Sequence, residues 1–175
     1  MAAFTVIDHT ELGASASSYN VTSISASYDH LLLEISTRGD VSAYFMNMNL
    51  TLNGDTGTNY SGTEMYADQT TVSSWRHSGS TSTNMGLDTC GASMLADTFG
   101  SHKIWIPHYS NTANFKQILA SGAAENNSTT GSQWRVMTGA NLWSATAAVN
   151  QITLTPASGD FVQYSTFTLY GVTGA

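Results

Sequence analysis

The sequence predicts an all-β protein, a two-sheet antiparallel sandwich of about ten strands closed as a jelly roll, with no significant helix. Three observations carry that expectation. Straight-chain helix formers are scarce, with four Glu and two Lys in 175 residues, whereas Thr, Val, Ile, Tyr, Phe and Trp, which suit a pleated, half-buried surface, are plentiful. Apolar and polar residues alternate at period two, the spacing that sends one set to each face of a strand. Between the alternating segments lie runs of Ser, Thr, Asn and Gly, which favour turns and exposed loops.

In chain order, short strands are expected at residues 4–9 and 19–24. Residues 30–37 place Leu31, Leu33 and Ile35 on one face and Leu32, Glu34 and Ser36 on the other, the pattern of a more fully buried strand. The clearest strand is 44–52, where Tyr44, Met46, Met48, Leu50 and Leu52 alternate with Phe45, Asn47, Asn49 and Thr51, so the first set is assigned to the core. A turn over 53–59 comes next, because Asn53, Gly54, Asp55 and Gly57 tolerate positive φ or bond their own backbone. The return strand is 60–66, and the next is 71–77. A weaker candidate at 85–95 contains Cys90. Further strands are expected at 103–107, 115–120, 133–138, 148–155 and 161–172, for an expected count of ten to eleven. Segments 78–84, 121–132 and 156–160 are expected to be exposed loops, and 1–3 and 173–175 short tails of one domain, 1–175. No fixed-period repeat suggests a propeller or solenoid, and the Cys, Trp, Cys spacing of the immunoglobulin alternative is missing.

Composition narrows function. Apolar residues make up 41% of the chain, enough for a real core, but charged residues only 10%, against roughly a quarter in an average domain. The polar surface therefore comes from 23 Ser, 24 Thr and 12 Asn. A formal net charge of −7 offers no cationic surface for a phosphate backbone, so no nucleic-acid partner is expected. No apolar run approaches the roughly 20 residues of a membrane span, and the first ten residues lack the features of a secretory signal. The expectation is a soluble protein that is not secreted and has no membrane partner. Cys90, the single cysteine, closes no intrachain disulfide and reads as a buried thiol.

Few residues invite chemistry. The twelve carboxylates are spread singly, and no Gly-x-Ser-x-Gly elbow is present, so no enzyme and no catalytic residue are expected. Asn53, Asp55, Gly57 and Asn59 put oxygen donors at alternate places, as a Ca²⁺ loop does, but without the closing bidentate carboxylate; a hairpin turn explains each of them. His102 and His108 are read as a same-face pair, and two imidazoles do not make a metal site. No metal or cofactor is expected. The candidates for carbohydrate stacking are Trp75, Trp105, Trp134 and Trp143, with core or subunit packing as the competing reading of each. Trp143, in a Gly/Ala/Asn-rich passage, has the most loop-like setting of the four.

The order of several phrases resembles a group of small structural proteins of tailed bacteriophages, jelly rolls that act as capsid decoration (cement), head-fibre or tail-associated proteins. The stretches are TELGASASSYNVTSIS (10–25), SYDHLLLEISTRG (27–39), LTLNGDTGTNYS (50–61), IWIPHYSNT (104–112) and AAVNQITLTPASGDFVQYSTFTLYGV (147–172). In that group a strand ending in an Asn-Gly-Asp turn and a closing Phe-Thr-Leu-Tyr-Gly strand recur; here they are residues 53–55 and 167–171. Residues 63–97 have no counterpart. The resemblance implies a virion structural protein without catalytic residues, a symmetric homo-oligomer, expected as a homotrimer, whose partner is the major capsid protein. Strand patterns running from Phe4 to Val172 leave no room for a fibre shaft, which ranks a decoration protein on the capsid exterior first. The alternative is a tail-associated or receptor-binding module that recognises a cell-surface carbohydrate.

Overall fold

In the computed structural model, residues 3–68, 71–128 and 133–174 are described. They form twelve strands and no helix: β1 (Ala3–Glu11), β2 (Tyr19–Val21), β3 (His30–Thr37), β4 (Phe45–Leu52), β5 (Tyr60–Asp68), β6 (Thr71–Ser80), β7 (Asp88–Cys90), β8 (Gly100–Pro107), β9 (Lys116–Ala124), β10 (Arg135–Trp143), β11 (Ile152–Pro156) and β12 (Thr166–Thr173). One sheet has eight strands in the order β1-β12-β3-β8-β9-β10-β5-β6, and the other has four in the order β2-β11-β4-β7.

That order is a jelly roll with an extension. Set aside the β5-β6 and β9-β10 hairpins, and the remaining eight strands form β1-β12-β3-β8 facing β2-β11-β4-β7, the chain changing sheet at every step except from β4 to β7, which are neighbours in the small sheet. This is the double Greek-key wrapping that covers two sheets with one chain. Both hairpins then add to the free side of β8, so the larger sheet outgrows its partner by four strands.

Alternation explains the core. Leu31, Leu33 and Ile35 of β3, Ile104 and Ile106 of β8, and Phe167 and Leu169 of β12 are buried against Met46, Met48, Leu50 and Leu52 of β4 and Ile152 and Leu154 of β11. Tyr19 of β2 stacks on Phe167 across the sandwich, with ring centroids 4.4 Å apart. Beyond this core the chain between β6 and β7 covers part of the inward face of the extension. Asn141 Nδ2 donates to Met85 O, Gly86 N donates to Glu64 Oε2, and a Cβ on Gly139 would lie 2.2 Å from that same Met85 oxygen. Only glycine admits so close a backbone approach.

The strand count of twelve exceeds the ten to eleven expected. Residues 78–80 and 121–124, expected in loops, belong to β6 and β9: neighbouring strands supply their backbone bonds whatever the side chains prefer. Residues 129–132 of the same expected loop lie outside the described residues. Of the expected tails, Ala3 and Thr173 pair in strands, while 1–2 and 175 lie outside the described residues. The 85–95 candidate yields only β7. Just beyond it the carbonyls of Ala92, Met94 and Leu95 accept from the Arg38 guanidinium instead of from a strand neighbour. Tyr44, assigned to the core face, is 40% exposed because pairing begins at Phe45, and its hydroxyl accepts from Gln133 Nε2.

Candidate functional site

Registers across the large sheet define its outward face. One row crosses all eight strands as Val6, Tyr170, Leu32, Trp105, Leu119, Ala140, Thr63 and Arg76. Directly paired residues point to the same side, so these side chains form one band. A second row runs His9, Thr168, Glu34, Lys103, Ser121, Thr138, Met65 and Ser74; a third runs Glu11, Thr166, Ser36, Ser101, Ala123, Val136, Ala67 and Val72. Seven interstrand spacings of about 4.8 Å make the face about 34 Å wide.

The chemistry of this face differs from that of the whole chain. Its charged side chains are Glu11, Glu34, Lys103 and Arg76, two of each sign, so it is formally neutral in a protein of net charge −7. Glu34 and Lys103 neutralise each other at 3.1 Å. Val6, Met65, Val72, Leu119 and Val136 are exposed on it, and the backbone between β5, β6 and β10 leaves a shallow apolar depression of about 260 Å³ along Met65, Ala67, Val72 and Val136. Desolvating such a surface costs little, which suits burial against another protein. Sequence reading missed the face because its rows exist only once eight separate strands are in register.

The four tryptophans fall in four different settings. Trp143, expected in a loop, ends β10 and is 2% exposed. Its ring fills the core and its Nε1 is bonded to Asp55, so it offers no stacking platform. Trp105 is half-buried in the first outward row, 4.9 Å from the His30 ring. Trp134 is half-buried just before β10. Trp75, on the edge strand β6 and on the opposite face from the three rows, is 65% exposed. The tryptophans therefore do not converge on one site.

The other candidates resolve into structural roles. Asp55 accepts from Gly57 N, Asn59 Nδ2 and Trp143 Nε1, which holds its carboxyl below the usual range, and Asn53 Oδ1 accepts from the backbone N–H of Asn150 and Gln151. The alternating oxygens thus serve the turn, whose Asn53 and Gly54 both have positive φ. His102 and His108 do not share a face. His102 is buried in β8 with Nε2 on Asp88 O, while His108 follows the strand at φ 48° and its N–H donates to His30 Nδ1. Among the described residues no three His, Cys, Asp or Glu side chains cluster as a metal site. Cys90 is buried, and burial pushes its thiol up.

Arg135 joins two carboxylates and two aromatic rings, and sequence reading did not single it out. Its guanidinium lies between the rings of Phe45 and Tyr66, 4.4 and 4.3 Å from their centroids, and pairs with Asp88 and Asp68. Burial raises the Asp88 carboxyl and the Arg135 charge draws it back. Because Phe45 and Asp88 belong to the small sheet and Tyr66 and Asp68 to the extension, Arg135 clamps the two together.

No family model matches the chain, and no curated protein matches it. Fold and surface together define a class: an extended jelly roll with a neutral, partly apolar outward sheet face.

Proposed function

We propose that this protein is a structural component of a tailed-bacteriophage virion, a capsid decoration (cement) protein that binds the outside of the shell and stabilises it. The observation that carries this reading is the outward face of the eight-stranded sheet. A band about 34 Å wide, formally neutral and studded with exposed Val6, Met65, Val72, Leu119 and Val136, is suited to contact with a protein lattice. Many copies bridging neighbouring capsid subunits stabilise the shell by mass action, although each contact is modest. The partner is the major capsid protein, and a homotrimer matches the three similar subunit edges met at three-fold and quasi-three-fold positions. With one ion pair on the face, attachment rests on apolar and polar contacts and resists salt better than an ion-paired interface does.

The test is co-sedimentation with capsids assembled without this gene product. Wild-type protein pellets with the shells at low salt and at 1 M NaCl (a Debye length of about 3 Å). Leu119→Glu and Val136→Glu, both at exposed positions, leave the melting temperature unchanged and abolish pelleting. Full pelleting of both variants, or none of the wild type, rejects the reading. A tail-associated module that binds a surface glycan is the second reading, and the exposed ring of Trp75 favours it.

A further inference from the structure

We propose that the free edge of the extension carries a binding site for a neutral, hydroxyl-rich sugar, built from Trp75 and the polar hollow beside it. The site lies on the opposite face from the three outward rows. It does not depend on where in a virion the protein sits.

Three features of β6 create it. Trp75 and His77 are two residues apart on one face of the strand, about 6.6 Å along it. Trp75 pairs with Glu64 and His77 with Gly62, and among the described residues β6 has no strand on its other side, which leaves Trp75 65% exposed. The register then shifts between Tyr60 and Ser61, where Gly79 stands as the extra residue of β6 at φ 63°. Such a bulge bends the strand and re-aims the residues beyond it. Ser80, Thr81, Ser82 and Asn84 line, with His77 and Gly79, an open hollow of about 400 Å³. That volume lies within the roughly 300 to 1,000 Å³ of small-molecule sites.

The lining selects the ligand. Hydroxyls of Ser80, Thr81 and Ser82 both donate and accept, and the His77 ring, which burial keeps toward its neutral form and whose Nε2 is 3.5 Å from Thr83 Oγ1, adds its other nitrogen. Asn84 adds an amide whose Oδ1 has no protein partner. That oxygen is shielded in the free protein, so a ligand hydroxyl meets it after a turn about the soft terminal torsion of the side chain. No formally charged side chain lines the hollow, and the nearest carboxylate in register, Glu64 opposite Trp75, disfavours an anionic ligand. A pyranose is a flat apolar CH face with a rim of hydroxyls. Its face fits an exposed indole and its rim fits the hydroxyl-lined hollow.

The experiment titrates the full-length protein with tetrasaccharides of glucose, galactose, mannose and N-acetylglucosamine, read by saturation-transfer NMR and tryptophan fluorescence, with tetragalacturonate as the anionic control. At least one neutral tetrasaccharide binds and the anionic one does not. Trp75→Ala, at an exposed position, keeps the melting temperature and weakens binding about tenfold, the share expected of one stacked aromatic. Asn84→Ala weakens it less, and Trp134→Ala not at all. Absence of binding by every neutral probe up to 10 mM (affinity weaker than about −3 kcal/mol), or equal binding by Trp75→Ala and wild type, overturns the proposal. Neither result bears on capsid co-sedimentation, so the two readings fail separately.

Discussion

The indole Nε1 of Trp143 donates a 2.7 Å hydrogen bond to Oδ2 of Asp55. The pair joins the last residue of β10 to the turn after β4, and so ties the extension to the small sheet at one end as Arg135 does at the other. It also explains why an aromatic with loop-like neighbours is buried: a tryptophan ring is stable inside when its one N–H finds an acceptor.

Trp143→Phe keeps most of the ring volume and removes the donor. A hydrogen bond to a charged group contributes about 1.5–3 kcal/mol, and the partial exposure of Asp55 reduces this to about 1 kcal/mol. A double-mutant cycle with Asp55→Ala, by urea denaturation at pH 7, is expected to return a coupling of that size. Because the folded-state Asp55 carboxyl lies below its ordinary value, the coupling is fully present above about pH 4 and disappears as pH falls further. Zero coupling at pH 7 would make the contact incidental.

His102 predicts a second acid response. Burial pushes its imidazole down to about 4, against about 6.5 in the unfolded chain. Between those values the unfolded state binds the extra proton, so stability falls as pH drops from 6.5 toward 4. His102→Gln loses that increment, and its melting temperature declines less steeply than wild type across the same window. Parallel slopes would contradict the assignment.

Arg135→Ala removes the cation from between two rings and leaves Asp88 buried without its counter-ion, at a cost of roughly 3 kcal/mol. Arg135→Lys restores the charge but not the planar stack or the fork of donors, and recovers only part of the loss. Hydrogen exchange is expected to speed first in β5, β6 and β10. Uniform loss of protection in all strands would show that Arg135 is not a local clamp.

Met48→Asp places an unpaired carboxylate at a fully buried position of β4. The penalty is several kcal/mol, enough to leave little folded protein. An unchanged melting temperature would contradict the inward register of that strand.

Period-two patterning made the core legible wherever apolar residues alternate, as at Leu31, Leu33 and Ile35 or at Met46 through Leu52. It failed where backbone pairing, and not side-chain character, decides the structure. Ser78–Ser80 and Ser121–Ala124 look like loops yet sit in strands because a neighbour satisfies their backbone groups. The candidate surfaces were less legible still. Val6, Leu32, Trp105, Leu119 and Ala140 are scattered along the chain, and only pairing aligns them in one row. Trp75 was visible as a candidate, but the hollow beside it depends on the bulge at Gly79, which no spacing announces.

Electron cryo-microscopy of virions produced with and without the gene tests the central claim most directly. Decoration predicts density on the capsid exterior only when the gene is present, at three-fold or quasi-three-fold positions, with the outward face of the eight-stranded sheet against the shell. Density confined to the tail, or shells identical in both preparations, would contradict it.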